Sequence, residues 1–587
     1  MNVNISKYFA LAAFLFATAA TAQNLDPTVI VNRAYEGKLL EVDKPSLEME
    51  VPDSVQQFDL DFDYSVFSSP YKGSYDFKPY QLLMKPYAAS ETEPVFYLRA
   101  GAGYTLKPEA DIVWTAVNRD KFKLNVHADN RSYIGGYRSF KPVMSGNDAL
   151  VLDRWMDQNS SSSTWKGYAI RTNAGIDGRY DWKRGLFSFD MAYAGLASKD
   201  TLKNRSYNAY DMSLRVSSKP HGDNYFMYDA TVAYRMGRDK VQFPSSEDAL
   251  NEHILGMSAK LGPVLALSHR ILFDLGLNMA AYSGAVKANA AEISIVPHYI
   301  FSKGKWHADV GLRIAKIFKP EDSMMYSAKD QILYPDVEVR YAALHDAMSI
   351  YAKVDGGNDL NTYSDIIGHN PFADMSFGRE KAVLDATVKR FAFALGIDGR
   401  IARRFSYDLR AGYEDYGNAI LDAAVLTGVA TCSYLPAVAY ASYRKLYASL
   451  SWDWHTERIR FDGSVDYAYV PDFKEDVYNV FKPASLLAEA TFEYNWNRRI
   501  FAGIDCRYSS SRTAMLSHVG SNVEDSFEPK RAVMPGFADL GLYAEFAASR
   551  KLSFWLRGGN LLNMTVQYIP LYAERGINFT AGICLKL

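Results

Sequence analysis

The sequence holds three cysteines, Cys432, Cys506 and Cys584, in 587 residues. They are too few and too scattered for a disulfide framework or a CxxC metal or redox centre. Neither sign of charge is in excess: 65 Lys and Arg against 67 Asp and Glu leave a formal net charge of −2, so no global field draws the chain to nucleic acid. Pro (22) and Gly (38) are ordinary and 48% of the residues are hydrophobic, which excludes collagen-like, low-complexity and disordered classes. Beyond the first two dozen residues there is no apolar run of the roughly 20 residues that a membrane-crossing helix needs. What the chain has in quantity is aromatic: 41 Tyr, 32 Phe and 9 Trp. A load this rich in Tyr suits strands, and surfaces where one end of a ring is wet and the other dry.

Residues 1–22 carry Lys7, then the apolar run FALAAFLFATAA, then Ala20-Thr21-Ala22 before Gln23. These are the three parts of a secretory signal peptide, so the chain is expected to be exported and to start near Gln23. Residues 23–94 are rich in Tyr, Pro and Asp, and their prolines oppose a long regular fold. They are expected in the periplasm or at the mouth of whatever the rest of the chain builds.

From residue 95 onward the apolar residues recur with period two. Phe122, Leu124, Val126 and Ala128 alternate with Lys123, Asn125, His127, Asp129 and Arg131. Trp306, Val310, Leu312 and Ile314 interleave with His307, Asp309 and Arg313; Phe461, Val465 and Tyr467 with Arg460, Asp462 and Asp466; Phe492, Tyr494 and Trp496 with Glu489, Glu493 and Asn495. Period two means strands with two unlike faces. A soluble sandwich shows the same period, but three features favour lipid on the oily side. The segments are long, about 10 to 18 residues against a usual 5 or 6. Their apolar faces tend to begin or end in aromatic residues, and connections alternate short and long, as in membrane barrels. We count 22 such segments, among them 95–105, 163–182, 185–199, 405–416, 436–454 and 575–587. The short connections include 118–121, 183–185 and 497–499; the long ones are 136–162, 357–380, 417–435, 511–535 and 561–574. An unpaired backbone group costs several kcal/mol in hydrocarbon, so the sheet must close on itself. The expected fold is therefore all-β: a transmembrane antiparallel β-barrel of about 22 strands over residues 95–587, with short periplasmic turns and long extracellular loops. Lys123, Asp129, Arg131, Asp309, Arg313, Arg460, Asp462, Asp466, Glu489 and Glu493 are expected to line its lumen, and their mixed signs argue against strong ion selectivity.

The final segment sets Phe579, Ala581, Ile583, Leu585 and Leu587 on one face, and is expected to pair with the first strand and close the ring. With the segment before it, it resembles the end of TonB-dependent outer-membrane receptors. The residues that carry the resemblance are Asn560, Leu561, Leu562 and Asn563, then Tyr568 and Pro570, then Gly576, Phe579 and Gly582. Two departures stand out: Leu587 replaces the usual terminal aromatic residue, and residues 23–94 lack the glycine-rich pattern of a plug domain. Thr28-Val29-Ile30-Val31 looks like the short strand that binds TonB, but reads more readily as an ordinary edge strand. The resemblance implies a location in a Gram-negative outer membrane among its lipids, an unidentified small solute as cargo, and TonB or a surface lipoprotein as partner.

Chemistry-bearing motifs are sparse. There is no HExxH, no GxSxG elbow and no phosphate-binding glycine loop, so no enzyme and no cofactor is expected. His127 has the place of a Ser/His pair in barrel lipases but no partner that can be named from sequence. Asp59, Asp61 and Asp63, and separately Asp359, Asn361 and Asp365, offer oxygen ligands for calcium without EF-hand spacing. The function expected is a receptor or transporter passing a solute across the outer membrane. A passive porin-like channel or a structural scaffold is the alternative, and a secreted soluble all-β protein or barrel hydrolase a more distant one.

Overall fold

Alternation becomes one closed sheet in the computed structural model. It describes residues 95–587 apart from 141–142, 145–149, 152–161, 201–203, 220–225, 241–248, 267, 322, 324, 327–330, 374–383, 429–432, 472, 474–476, 518–528 and 575. The expected leader, the segment 23–94 with Thr28–Val31 and the Asp59, Asp61, Asp63 triplet, and Cys432 lie outside the described residues.

Twenty-two antiparallel strands, from Phe96–Tyr104 to Asn578–Lys586, follow one another around the ring, each paired with its sequence neighbours. The ring closes between the first and the last: Gly101 pairs with Gly582 and Tyr104 with Phe579, and Phe96 and Leu587 exchange backbone hydrogen bonds of 2.8 and 3.1 Å. Trp555, 3% exposed, lies across this seam. A Cβ at Gly101 would stand 2.4 Å, and one at Gly582 2.5 Å, from the same indole, so two glycines make room for one ring. Its Nε1 donates to the Ile583 carbonyl at 3.3 Å, and Arg99 stacks 4.4 Å from its centroid.

One face of every strand is apolar and open. Val310, Leu312 and Ile314 are 40–48% exposed, and so are Val232, Leu275 and Ile293 on strands further round. A continuous exposed apolar band this large does not survive in water; it is the lipid-facing surface of a barrel. Aromatic pairs bound it at both ends. Tyr180 with Trp182, Trp306 with Tyr341 and Trp452 with Phe461 mark the short-turn end; Tyr193 with Tyr210 and Tyr234 with His253 mark the long-loop end. From Tyr180 to Tyr168 on the strand Ser162–Trp182, about 3.3 Å per residue and a tilt of about 45° give a band about 28 Å tall, close to the expected apolar height.

The strands run further than the alternation indicated. The expected loop 417–435 is largely sheet: Phe405–Gly428 and Ser433–His455 are 24 and 23 residues long. The expected loop 511–535 contains the hairpin Arg512–Ser517 with Pro529–Met534, and 561–574 the short strand Tyr572–Glu574, which pairs with Tyr137–Ser139. Period two stops being visible in these extensions because both faces are covered. Ala419, Ala423 and Ala424, and Tyr434, Leu435 and Ala437 across from them, are all buried. Irregularities in register at Asp355/Gly357, Val388–Phe391 and Tyr416/Ala419 fall side by side on three adjacent strand pairs. Bulges bend strands, and above this line the residues of the extension pack against the opposite side of the ring.

Candidate functional site

The helix Tyr363–His369 follows the strand Met348–Asn361 at the bent end. Thr362 caps it: its hydroxyl accepts from the Asp365 amide while the Asp365 carboxylate accepts from the Thr362 amide, a capping box. Asp365 is therefore a helix cap, and Asn361 donates to Thr387 at 2.9 Å. The Asp359, Asn361, Asp365 set does not converge, and no group of three or more metal-type side chains exists among the described residues.

Strands elsewhere on the ring grip this helix and the turn after it. Arg205, 5% exposed, donates to the Pro371 and Ala373 carbonyls at 2.7 and 2.9 Å and places its Nε 3.1 Å from the fully buried Asp239. The Tyr363 hydroxyl donates to the same carboxylate. Burial pushes that phenol well above its ordinary range. Glu252, 1% exposed, accepts from Tyr207 at 2.7 Å, Tyr282 at 3.0 Å and the Ser364 amide at 3.2 Å. Arg235 donates to Ser364 at 2.9 Å while forking onto Asp211. A buried carboxylate is tolerable only when it is paired or well bonded, and both are. On the helix's far end, Arg171 donates to the Gly368 carbonyl, and His369 meets Asp422 at 3.3 Å, where Arg512 also donates at 2.8 Å. The hydrogen bond to Asp422 raises the His369 pKa.

Beside this polar clamp sits an aromatic one. Tyr137 stacks on Trp165 at 4.6 Å, and Phe372 and Tyr572 meet them edge-on at 5.1–5.8 Å and each other at 5.4 Å. Tyr137 and Trp165 face each other on neighbouring strands and Tyr572 pairs beside them, whereas Phe372 arrives with the turn after the helix, which follows a strand far round the ring. Residues 363–373 thus bridge the long-loop end from one side to the other.

The residues expected on the polar face alternate with the exposed apolar ones, and most of them pair with polar side chains beside them. Asp129 accepts from Asn173 at 3.1 Å and Arg131 reaches Asp111 at 2.8 Å. Asp309 is 3.0 Å from His298, itself 3.3 Å from Asp274. Arg313 pairs with Asp336 at 3.2 Å, Arg460 with Asp462 at 2.8 Å, Asp466 with Ser449 at 2.6 Å and Glu489 with Arg507 at 2.6 Å. Lys123 and Glu493 stand opposite Arg179 and Arg460 in register. His127 faces Asp177 at 3.4 Å, not a serine.

The C-terminal motif proves to be a turn. Asn560 and Asn563 both adopt positive φ, 48° and 51°, which Asn tolerates better than most residues. Asn560 bonds the Met564 amide and carbonyl, each at 2.9 Å, and reaches the Gly576 carbonyl at 3.4 Å. Gly576 has φ of 60°, and a Cβ there would stand 3.3 Å from the Asn563 Oδ1. Leu561 donates to the Leu540 carbonyl at 3.0 Å, Leu562 is 52% exposed and Pro570 buried. Tyr568 donates to Asp539 at 2.6 Å, the carboxylate that also accepts from the Asn560 amide. The motif anchors the chain between the last two strands.

Arg205, Asp239, Glu252 and Tyr363 escaped the sequence reading. Their partners lie 30 or more residues away, and the one local signal was the Thr362–Asp365 cap inside an expected loop.

No family model and no curated protein matches the sequence. Solved structures do match by shape. The FrpB iron transporter from Neisseria meningitidis superposes with a TM-score of 0.59 at 10% identity, covering 85% of this chain and 81% of that one. The siderophore receptor PirA from Acinetobacter baumannii gives 0.56 at 9%, covering 84% and 80%. The copper transporter OprC gives 0.56 at 12%, with the same coverage. At such identities the likeness is one of fold: the chain has the 22-strand barrel of these receptors and transporters, as the C-terminal resemblance implied.

Proposed function

We propose that the protein is an outer-membrane receptor that takes up a small solute through a mouth held shut by residues 363–373. The single observation behind this reading is the bridge itself: a helix clamped by Arg205, Asp239 and Glu252 across a ring whose inner, polar face carries compensated ion pairs. Lys123, Asp129, Arg131, Asp309, Arg313, Arg460, Asp462, Asp466, Glu489 and Glu493 are assigned to the lumen wall, as a hydrated path of no single sign. Catalysis has no part in it; binding at the mouth and passage along the wall are the whole of the mechanism. The similar structures are those of an iron transporter, a copper transporter and a siderophore receptor, which makes a chelated metal a reasonable first class of solute to assay.

The test is swelling of liposomes holding the purified protein, with sugars and ferric chelates outside. The wild type should be nearly sealed, and Arg205→Ala with Tyr363→Phe should admit solute while keeping heat-modifiable mobility. Free passage through the wild type would instead make it a passive channel, and sealed vesicles in both cases would make it a scaffold. In cells, dependence of uptake on the proton gradient separates coupling to TonB from simple diffusion.

A further inference from the structure

Nine consecutive strands, from Phe122–Phe140 to Trp306–Phe318, carry no Asp or Glu on their lipid-facing side. At the long-loop end the same side carries Arg138, Lys166, Lys199, Arg238 and Lys316, four of them exposed and Arg138 half-buried. Among the described residues none of the five has an ion-pair partner; Lys316 only leans over the Phe318 ring at 5.3 Å. The other side of the ring is different. Eight strands, from Ile459–Tyr469 round through the seam to Glu109–Asn118, have no charged residue on the lipid-facing side, and end at the long-loop rim in Tyr469, Tyr508, Phe579 and Tyr104, 39–74% exposed.

The height of the cations matters as much as their sign. Lys199 pairs in register with Tyr168, and Arg238 with Asn208, which the Tyr193 hydroxyl holds at 2.7 Å. The positive groups thus stand at or just above the aromatic edge of the apolar band, where lipid headgroups lie. Amides fill the gaps: Asn204 faces Lys199 and Asn251 faces Arg238. From Arg138 to Arg238 is four strand spacings, about 20 Å, the width of one large headgroup or two small ones.

Cations with no ion-pair partner among the described residues, with interleaved amide donors and no described acid on their side of the strands, held level with headgroups, form a site for phosphate. We infer that this face binds phosphate-bearing lipid headgroups of the leaflet at the long-loop end, and that the rim of the eight uncharged strands does not. The inference goes beyond the uptake reading and needs only a barrel seated in an outer membrane. A soluble anionic partner would find half of each side chain's approach blocked by the bilayer, whereas a lipid arrives already in the plane.

The experiment uses the full chain extracted from outer membranes in mild detergent, with retained phosphorylated glycolipid counted by mass spectrometry. Lys166→Glu, Lys199→Glu and Arg238→Glu together should cut retention at least tenfold, with heat-modifiable mobility kept. Should that variant not fold, the wild type alone decides: delipidated protein should take up a diphosphorylated glycolipid at least tenfold better than its dephosphorylated form, and millimolar inorganic phosphate should not displace it. Undiminished retention in the folded variant, equal binding of the two glycolipids, or displacement by free phosphate overturns the inference.

Discussion

The wall of the barrel and its mouth contain the same kinds of residue but are held by different means. In the wall, each strand is fixed by its two sequence neighbours, and solvent of opposite character bathes the two faces. At the mouth, side chains from strands as far apart as 204–218 and 405–428 hold the same segment, residues 363–373. The wall therefore depends on which way a residue points, and the mouth on whether particular partners are present. One consequence is that the wall should fail by solvation and the mouth by loss of a partner.

The difference can be broken most sharply at Arg205. Replacing it by Ala takes the guanidinium away from the buried Asp239, and losing one partner of such a pair costs about 3–5 kcal/mol. Hydrogen exchange should show residues 363–373 released, with the strands below still protected; exchange spreading into the wall would mean that mouth and wall are one cooperative unit. At the wall, Val232→Arg places a charge between the girdles on the lipid side and should cost about 2–4 kcal/mol near the midplane. The adjacent Thr231→Asn, on the polar side, should be nearly neutral, and equal effects in refolding into lipid would refute the facing. A smaller loss, about 1 kcal/mol, is expected from Thr362→Ala, which removes the helix cap; faster exchange confined to the first turn of Tyr363–His369 is the readout.

The smallest effect is one of pH. The His369 pKa is raised by its bond to Asp422, so the folded helix binds the proton more tightly than the free loop does. Its contribution is complete below the ordinary histidine pKa of about 6.5 and disappears as pH rises through the higher folded value. The imidazole is exposed, so the shift should show as a modest increase in exchange of the last helical turn, absent in His369→Gln. A decrease with rising pH would reverse the assignment.

These two modes also explain what could be read from sequence. Segments such as 163–182 and 185–199 coincide with Ser162–Trp182 and Gly185–Lys199 to within a residue, because water on one side and oil on the other stamp period two on every position. The same reasoning stopped at 416 on a strand that runs to Gly428, since Ala423 and Ala424 are both buried and no alternation remains to be seen. Gly356-Gly357 and Gly417-Asn418 were the local signs of a bend: a Cβ at Gly417 would stand 2.8 Å from the Arg390 Nε. Glu252 and Asp239 gave no sign, because a buried carboxylate at a strand end is written like a solvated one until its donors are known.

Trp555 on its two glycines marks the junction that can form only when both the first and the last strand are present. Phe96 meets Leu587 across almost five hundred residues, so no earlier pairing can stand in for that junction, and contacts so remote form slowly. Until they form, both free margins offer bare amides and carbonyls to any passing strand. A chaperone or insertion machine that shields those margins would therefore be expected to release the protein only once the indole has settled, making the fastening step the point of no return in biogenesis.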